Sequence, residues 1–237
     1  MDRVPQHPGH DARDSHVDYL RLSITDRCNL RCTYCMPPEG VPERDHSEIL
    51  TYEELEAVAR AAIAVGISKV RITGGEPLVR RGVVDFVRMV AAIEDVSDLS
   101  LTTNGVLLPR FAADLAAAGL RRVNVSIDSL DPLRFAELTR GAHLDQALAG
   151  LDAAFAAGFS PVKLNVVLLA GIEREVEDFA ELTRERAVHV RFIEHMPLDR
   201  RLSLEGEFIP SPQVLELLRR SYALEAVDGV YGHGPAR

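Results

Sequence analysis

The stretch Leu20–Cys35, LRLSITDRCNLRCTYC, runs an alternating strand straight into a loop that holds every cysteine of the 237-residue chain. Successive strand side chains point to opposite faces, so Leu20, Leu22 and Ile24 share one face and Arg21, Ser23 and Thr25 the other. The pattern recurs down the chain. VRIT sets Val70 and Ile72 against Arg71 and Thr73, and LSLTTN sets Leu99 and Leu101 against Ser100, Thr102 and Asn104. VNVSID sets Val123, Val125 and Ile127 against Asn124, Ser126 and Asp128. VKLNV sets Val162, Leu164 and Val166 against Lys163 and Asn165, and VHVRF sets Val188, Val190 and Phe192 against His189 and Arg191.

These runs define six candidate strands: Tyr19–Thr25, Lys69–Thr73, Leu99–Thr103, Arg122–Asp128, Val162–Leu168 and Val188–Ile193. Helical patterns lie between them at about 51–65, 81–94, 109–118, 143–157 and 174–186. Thr51 and Glu54 form a capping-box signature, and Gly66 and Gly158 stand where helices should stop. Repeated strand–helix units imply a parallel α/β sheet with right-handed crossovers, either doubly wound or a barrel short of eight strands. The faces favour the barrel. Buried strands of a parallel sheet usually read as continuous apolar runs, and these are half polar. Unpaired buried polar groups cost roughly 1–3 kcal/mol each, so the polar face must line something wet or liganded. The expectation is an open, partial (β/α)6 barrel around a polar hollow. Arg21, Arg71, Lys163 and Arg191 project into it and suit an anionic, polyphosphate-like ligand. Edge strands with one solvated face would explain one or two such strands, not six.

The net charge of −9 argues against a general nucleic-acid binder, and no apolar run approaches the roughly 18 residues of a membrane helix. About 46% hydrophobic residues suit one domain with a substantial core. Residues 1–17 read as a disordered extension without a signal peptide; His7, His10 and His16 could mark a metal tail, but flexibility is the simpler reading. Residues 18–196 read as the barrel, and 197–237 as a Pro-rich connection with one short helix near 211–220.

Three cysteines with no fourth do not make a disulfide framework, and a reducing cytoplasm is their natural setting. Cys28, Cys32 and Cys35, spaced C-x3-C-x2-C at the C-terminal end of the first strand, can bind a soft metal. Structural zinc sites want four ligands; a [4Fe-4S] cluster on three cysteines keeps one iron open for a substrate or cofactor. Barrel enzymes keep their chemistry at this end of the strands.

The cysteine loop CNLRCTYC resembles the radical S-adenosylmethionine superfamily, and TGGEPL at Thr73–Leu78 resembles that superfamily's GGEP motif. Taken with LTTNG, VNVSIDSL, VKLNVVLL and RFIEHMPL, the chain from about residue 18 resembles the GTP 3′,8-cyclase (molybdenum cofactor biosynthesis protein A) family. The partial barrel is that superfamily's fold. The resemblance implies a [4Fe-4S] cluster on Cys28, Cys32 and Cys35, whose open iron chelates S-adenosylmethionine, and reductive cleavage to a 5′-deoxyadenosyl radical. It implies cofactor contacts at Tyr34, Gly75, Ser126 and Met196, and GTP contacts at Arg21, Arg71, Thr102 and Lys163. The radical would take hydrogen from C3′ of GTP, and the carbon radical would close on C8 to give 3′,8-cyclo-7,8-dihydro-GTP for molybdenum cofactor biosynthesis. No protein acid or base is implied. The glycines of GGEP would allow close backbone approach to the cofactor's amino group. The Tyr34 ring, Asp128, Asn104 and His189 have plain structural readings, and His195 reads as variation.

The resemblance breaks at the end of the chain. The family carries a second cluster on a C-terminal C-x2-C and a further cysteine, which binds guanine, and this sequence stops at YGHGPAR without them. It therefore reads as a truncated form that cleaves S-adenosylmethionine but cyclises GTP poorly. By the same resemblance, a flavodoxin-like protein would donate electrons, the chain could be a homodimer, and product would pass to cyclic pyranopterin monophosphate synthase. Competing readings are a radical S-adenosylmethionine enzyme acting on a peptide or other small molecule, and a non-enzymatic metal-stapled module.

Overall fold

A computed structural model describes residues 17–42, 45, 48–196 and 208–227. The expected extension, with His7, His10 and His16, lies outside them but for Val17, as do 197–207 and the end of the chain from 228. Six strands alternate with helices: β1 Tyr19–Ser23, α1 Tyr52–Ala64, β2 Lys69–Thr73, α2 Val83–Ala91, β3 Asp98–Thr103, α3 Leu108–Ala117, β4 Arg122–Ser126, α4 Pro132–Thr139, α5 Leu144–Ala156, β5 Val162–Val167, α6 Val176–Glu185, β6 Val188–Ile193 and α7 Ser211–Ser221. Single 3₁₀ turns sit at Pro77–Val79 and Ile172–Arg174.

The sheet is parallel throughout and ordered β1-β2-β3-β4-β5-β6. A doubly wound sheet reverses direction partway; this one never does. Every right-handed crossover therefore lays its helix on the same face and leaves the other face as a concave wall. Among the described residues β1 and β6 do not pair, so the barrel is open.

The apolar strand faces form the core. Val70, Ile72, Leu101, Val123, Val125, Val162, Leu164 and Val166 are fully buried against Phe86, Val87, Leu115, Leu151 and Phe179 from the helices. Side chains of this kind contribute about 1.5–3 kcal/mol each on burial. The expected punctuation is present. The Glu54 N–H donates to Thr51 Oγ1 (3.2 Å) and the Thr51 N–H to Glu54 Oε2 (2.7 Å), while Gly66 and Gly158 follow their helices at φ 105° and 80°.

Three details depart from expectation. Strands β1 and β4 stop at Ser23 and Ser126, two residues early; beyond them the Thr25 side chain accepts from the Arg27 N–H and that of Asp128 from the Val167 N–H. Helix α4 was not anticipated. It is short, but it carries an Asp131 cap, with the Arg134 N–H donating to Asp131 Oδ1 (2.8 Å), and proline in its first turn. Finally, the described part of the C-terminal region folds back on the barrel. Phe208 bridges Leu169, Val214 is buried, and the Tyr222 hydroxyl donates to Glu181 Oε1 (2.6 Å). No helix among the described residues is long and apolar enough to cross a membrane.

Candidate active site

The strand register gathers the polar face into rungs. One rung aligns Arg21, Arg71, Ser100 and Arg122, a second Thr102, Asn124, Lys163 and His189, and a third Ser126, Asn165 and Arg191. Of the expected cations, Arg21 is exposed at the open edge, Arg191 is half-buried, and Arg71 and Lys163 retain only 7% and 4% exposure. Their fields overlap. Desolvation, then Arg191, Arg122 and Arg71, push Lys163 down to about 8, with Asp98 opposing. Desolvation, then Arg21, Arg191 and Arg122, lower Arg71, with Tyr19 opposing. An anion placed here relieves this repulsion.

The floor of the hollow holds groups that sequence reading missed. Buried Arg122 pairs with buried Asp98, Nε donating to Oδ1 at 2.8 Å with a second contact to Oδ2, and the Arg71 guanidinium lies 5.1 Å over the Tyr19 ring. Asp98 falls one residue before the strand expected from Leu99, which hid this pair. Thr102 Oγ1 and Asn165 Oδ1 are buried with no hydrogen-bond partner among the described residues. Buried polar atoms are rarely left so, and a ligand in the hollow would satisfy them.

Three buried carboxylates brace the loops above the sheet. Glu76 of the GGEP stretch is fully buried and accepts from the Leu78 N–H (3.0 Å), the Asn104 N–H (2.7 Å) and the Thr103 hydroxyl (2.9 Å). Asp128 accepts from the Tyr34 hydroxyl (2.7 Å) and the Val167 N–H (2.9 Å), tying the cysteine loop to β5. Glu175 accepts from the Ser129 hydroxyl (2.8 Å) and the Leu130 N–H (2.6 Å) and pairs with Arg134 at 3.1 Å. Burial raises the pKa of Glu76 and of Asp128, favouring the neutral acid, against the hydrogen bonds they accept.

The two glycines have a structural cause of their own. The Gly75 N–H donates to Thr25 O (2.7 Å) and the Glu76 N–H to Arg27 O (2.8 Å), continuing the β1–β2 pairing past the strands. A Cβ at Gly74 would lie 2.6 Å from Thr25 O, and one at Gly75 only 2.4 Å from Arg27 O. The residues leading into the cysteine loop therefore rest directly on this glycine turn, and Gly75 stays exposed beside them.

The cysteine loop is built to present sulfur. The Cys35 and Met36 N–H groups both donate to Cys32 O (3.2 and 3.0 Å), a turn that sets the Cys32 and Cys35 thiols in contact. The hydrogen bond between them raises Cys32 and lowers Cys35. The Leu30 N–H donates to Cys28 Sγ (3.4 Å) and Asn104 Nδ2 approaches it at 3.8 Å; such donors suit a metal-bound thiolate. Among the described residues no three His, Cys, Asp or Glu close on a single ion. Cys28, Cys32 and Cys35 are free thiols on one loop, with Cys32 and Cys35 in contact, a donor set whose chemistry suits an iron–sulfur cluster. The Tyr34 hydroxyl donates to Asp128, and its ring meets His195 edge-on (6.2 Å). Ser126 is half-buried on the inner face, and Met196 stands 69% exposed at the rim.

The radical SAM superfamily model matches residues 22–183, more than half of the chain. A GTP 3′,8-cyclase from Geobacter sulfurreducens is 51% identical over 228 residues, covering 96% of this chain and 70% of that protein. Those from Alkaliphilus oremlandii and Heliobacterium modesticaldum are 51% and 50% identical, with 59% and 69% of their lengths covered. The chain thus spans about three-fifths to seven-tenths of these relatives. Among solved structures, Streptococcus suis SuiB bound to S-adenosylmethionine superposes with TM-score 0.72 at 16% identity, covering 86% of this chain and 46% of that one. Methylornithine synthase superposes with TM-score 0.62 at 16% identity, covering 76% and 53%. At such identities these two speak for the fold alone.

Proposed function

The chain belongs to the radical S-adenosylmethionine superfamily and, within it, to the GTP 3′,8-cyclase family, and from that premise we propose that it binds GTP in the cationic hollow and converts it to 3′,8-cyclo-7,8-dihydro-GTP. A [4Fe-4S] cluster and S-adenosylmethionine are the cofactors of this family, and when bound they supply the radical chemistry. Cys28, Cys32 and Cys35 would hold the cluster. Gly75, Ser126, Met196 and the backbone at Tyr34 would border the cofactor. Arg21, Arg71, Thr102 and Lys163 would take the nucleotide.

The single observation that carries this reading is the inner rung system, where crowded cations face unpartnered Thr102 and Asn165 beneath the cysteine loop. Cations lower in the hollow would hold the triphosphate and leave the sugar nearer the loop, so that C3′ is positioned before any bond changes. The residues bind, orient and neutralise; none is needed as an acid or base. A reducing cytoplasmic setting suits the three free thiols. An electron-donor protein, a synthase that consumes the product and a homodimeric state belong to the same proposal.

Equilibrium binding of GTP to the anaerobically reconstituted chain tests it. GTP should bind and Lys163→Ala should abolish most of that affinity. Binding of a peptide or a neutral small molecule in preference to GTP would overturn it.

A further inference from the structure

The cysteine loop is held from outside as well as from within. Helix α4 ends on Arg140 at φ 55°, ψ 53°, a left-handed conformation costly for a residue with a Cβ. Gly141 follows at φ 107°, its N–H donating to Ala136 O (2.7 Å), a helix stop for which the glycine alone would have sufficed. The strained arginine has a destination. Its Nη1 donates to Arg31 O (2.7 Å) and to Met36 O (2.7 Å), more than 100 residues earlier in the chain. Those two carbonyls bracket the segment carrying Cys32 and Cys35. In the same segment the Thr33 N–H donates to Leu138 O (2.9 Å). The end of α4 thus grips the second half of the cysteine loop at three points.

We propose that Arg140 is a positioning residue for the cluster, clamping the Cys32–Cys35 segment and, by its charge, favouring the reduced cluster. This rests on the cluster reading above. A cluster that accepts one electron becomes more negative by one charge, and a fixed guanidinium beside the loop stabilises that state. Arg27 and Arg31 are the other cations beside the cysteines. Among the described residues, the Arg31 guanidinium donates to the loop's own carbonyls at Cys28 and Leu30, so these bonds do not tie the loop to the barrel.

The test is a dithionite titration of the reconstituted chain, followed by the spectrum of the reduced cluster, on wild type, Arg140→Gln and Arg140→Lys. With only three cysteines present, one cluster accounts for the signal. Arg140→Gln is expected to lower the reduced-to-oxidised ratio at fixed potential at least threefold, about 28 mV for one electron at 59 mV per decade. Arg140→Lys, which keeps the charge but not the paired donors, is expected to stay near the wild-type potential while losing iron faster to a chelator. Loss of the cluster from an Arg140→Gln chain that keeps its circular dichroism and melting point also supports the clamp. Equal potentials in wild type and Arg140→Gln overturn the proposal, as does an equal drop in both variants. A wild-type chain that assembles no iron–sulfur cluster defeats the underlying cluster reading, a result distinct from either.

Discussion

Replacing Lys163 by arginine should abolish a pH dependence that the wild-type chain displays. Lys163 is buried among Arg191, Arg122 and Arg71, which with desolvation bring it from 10.5 to about 8. That drop marks the resistance of the crowded site to holding the proton without a ligand. A bound triphosphate supplies the missing counter-charge and returns Lys163 toward its ordinary value. Affinity is then intact below pH 8 and weakens above it, because binding must also recruit a proton. With a free value near 8 and a bound value near 10.5, affinity at pH 9 falls about tenfold below that at pH 7. A guanidinium stays charged across this range, so Lys163→Arg should bind with little slope of its own. Calorimetric titration of GTP into both proteins between pH 7 and 9 makes the comparison. The nucleotide's own titration is common to both and cancels in the ratio. A ratio constant across the range would refute the account of Lys163.

Lys163→Met should stabilise the ligand-free chain at pH 7 by about 1–3 kcal/mol, because it removes a buried charge crowded by Arg191, Arg122 and Arg71. Wild-type stability should rise with pH between about 8 and 10.5, where the unfolded chain binds the proton that the folded one has released, and the variant should lack that rise; urea melts read both. Gly75→Ala, which places a Cβ 2.4 Å from Arg27 O, should cost about 1–3 kcal/mol and reduce iron incorporation, as measured by thermal melting and metal analysis. Glu76→Gln keeps the shape but loses charge-assisted hydrogen bonds and turns an amide N–H₂ toward N–H donors. It should cost about 1.5–3 kcal/mol and speed amide exchange at Leu78 and Asn104. Asp98→Asn leaves Arg122 unpaired beside Lys163 and should move the midpoint of the GTP pH profile below that of the wild type.

The strand faces made the barrel legible. Six half-polar strands separated by helices admit few architectures, and period-two alternation assigned Arg21, Arg71, Lys163 and Arg191 to one face before any register was known. The spacing of Cys28, Cys32 and Cys35 made the sulfur loop legible for the same reason: local sequence contains the whole signal. What stayed hidden depends on contacts across the chain. Nothing in the sequence near Arg140 says that its guanidinium reaches Arg31 O and Met36 O, and nothing near Asp98 says that it meets Arg122. The GGEP glycines read as room for a cofactor to approach the backbone, whereas the close approach visible in the fold is that of the Thr25–Arg27 backbone packed against them. Glu76 lay in plain view within that motif, yet its work as a brace for β3 appears only once Thr103 and Asn104 are brought beside it. Helix α4 escaped because eight residues give two turns of periodicity, too few to outweigh a loop reading despite the Asp-Pro start.

The most direct measurement is the yield of 5′-deoxyadenosine when the anaerobically reconstituted chain is mixed with dithionite and S-adenosylmethionine. Near four irons per chain and steady 5′-deoxyadenosine formation, both lost in Cys32→Ser, are the predicted result. Zinc in place of iron with no 5′-deoxyadenosine, or formation that persists in Cys32→Ser, would contradict it.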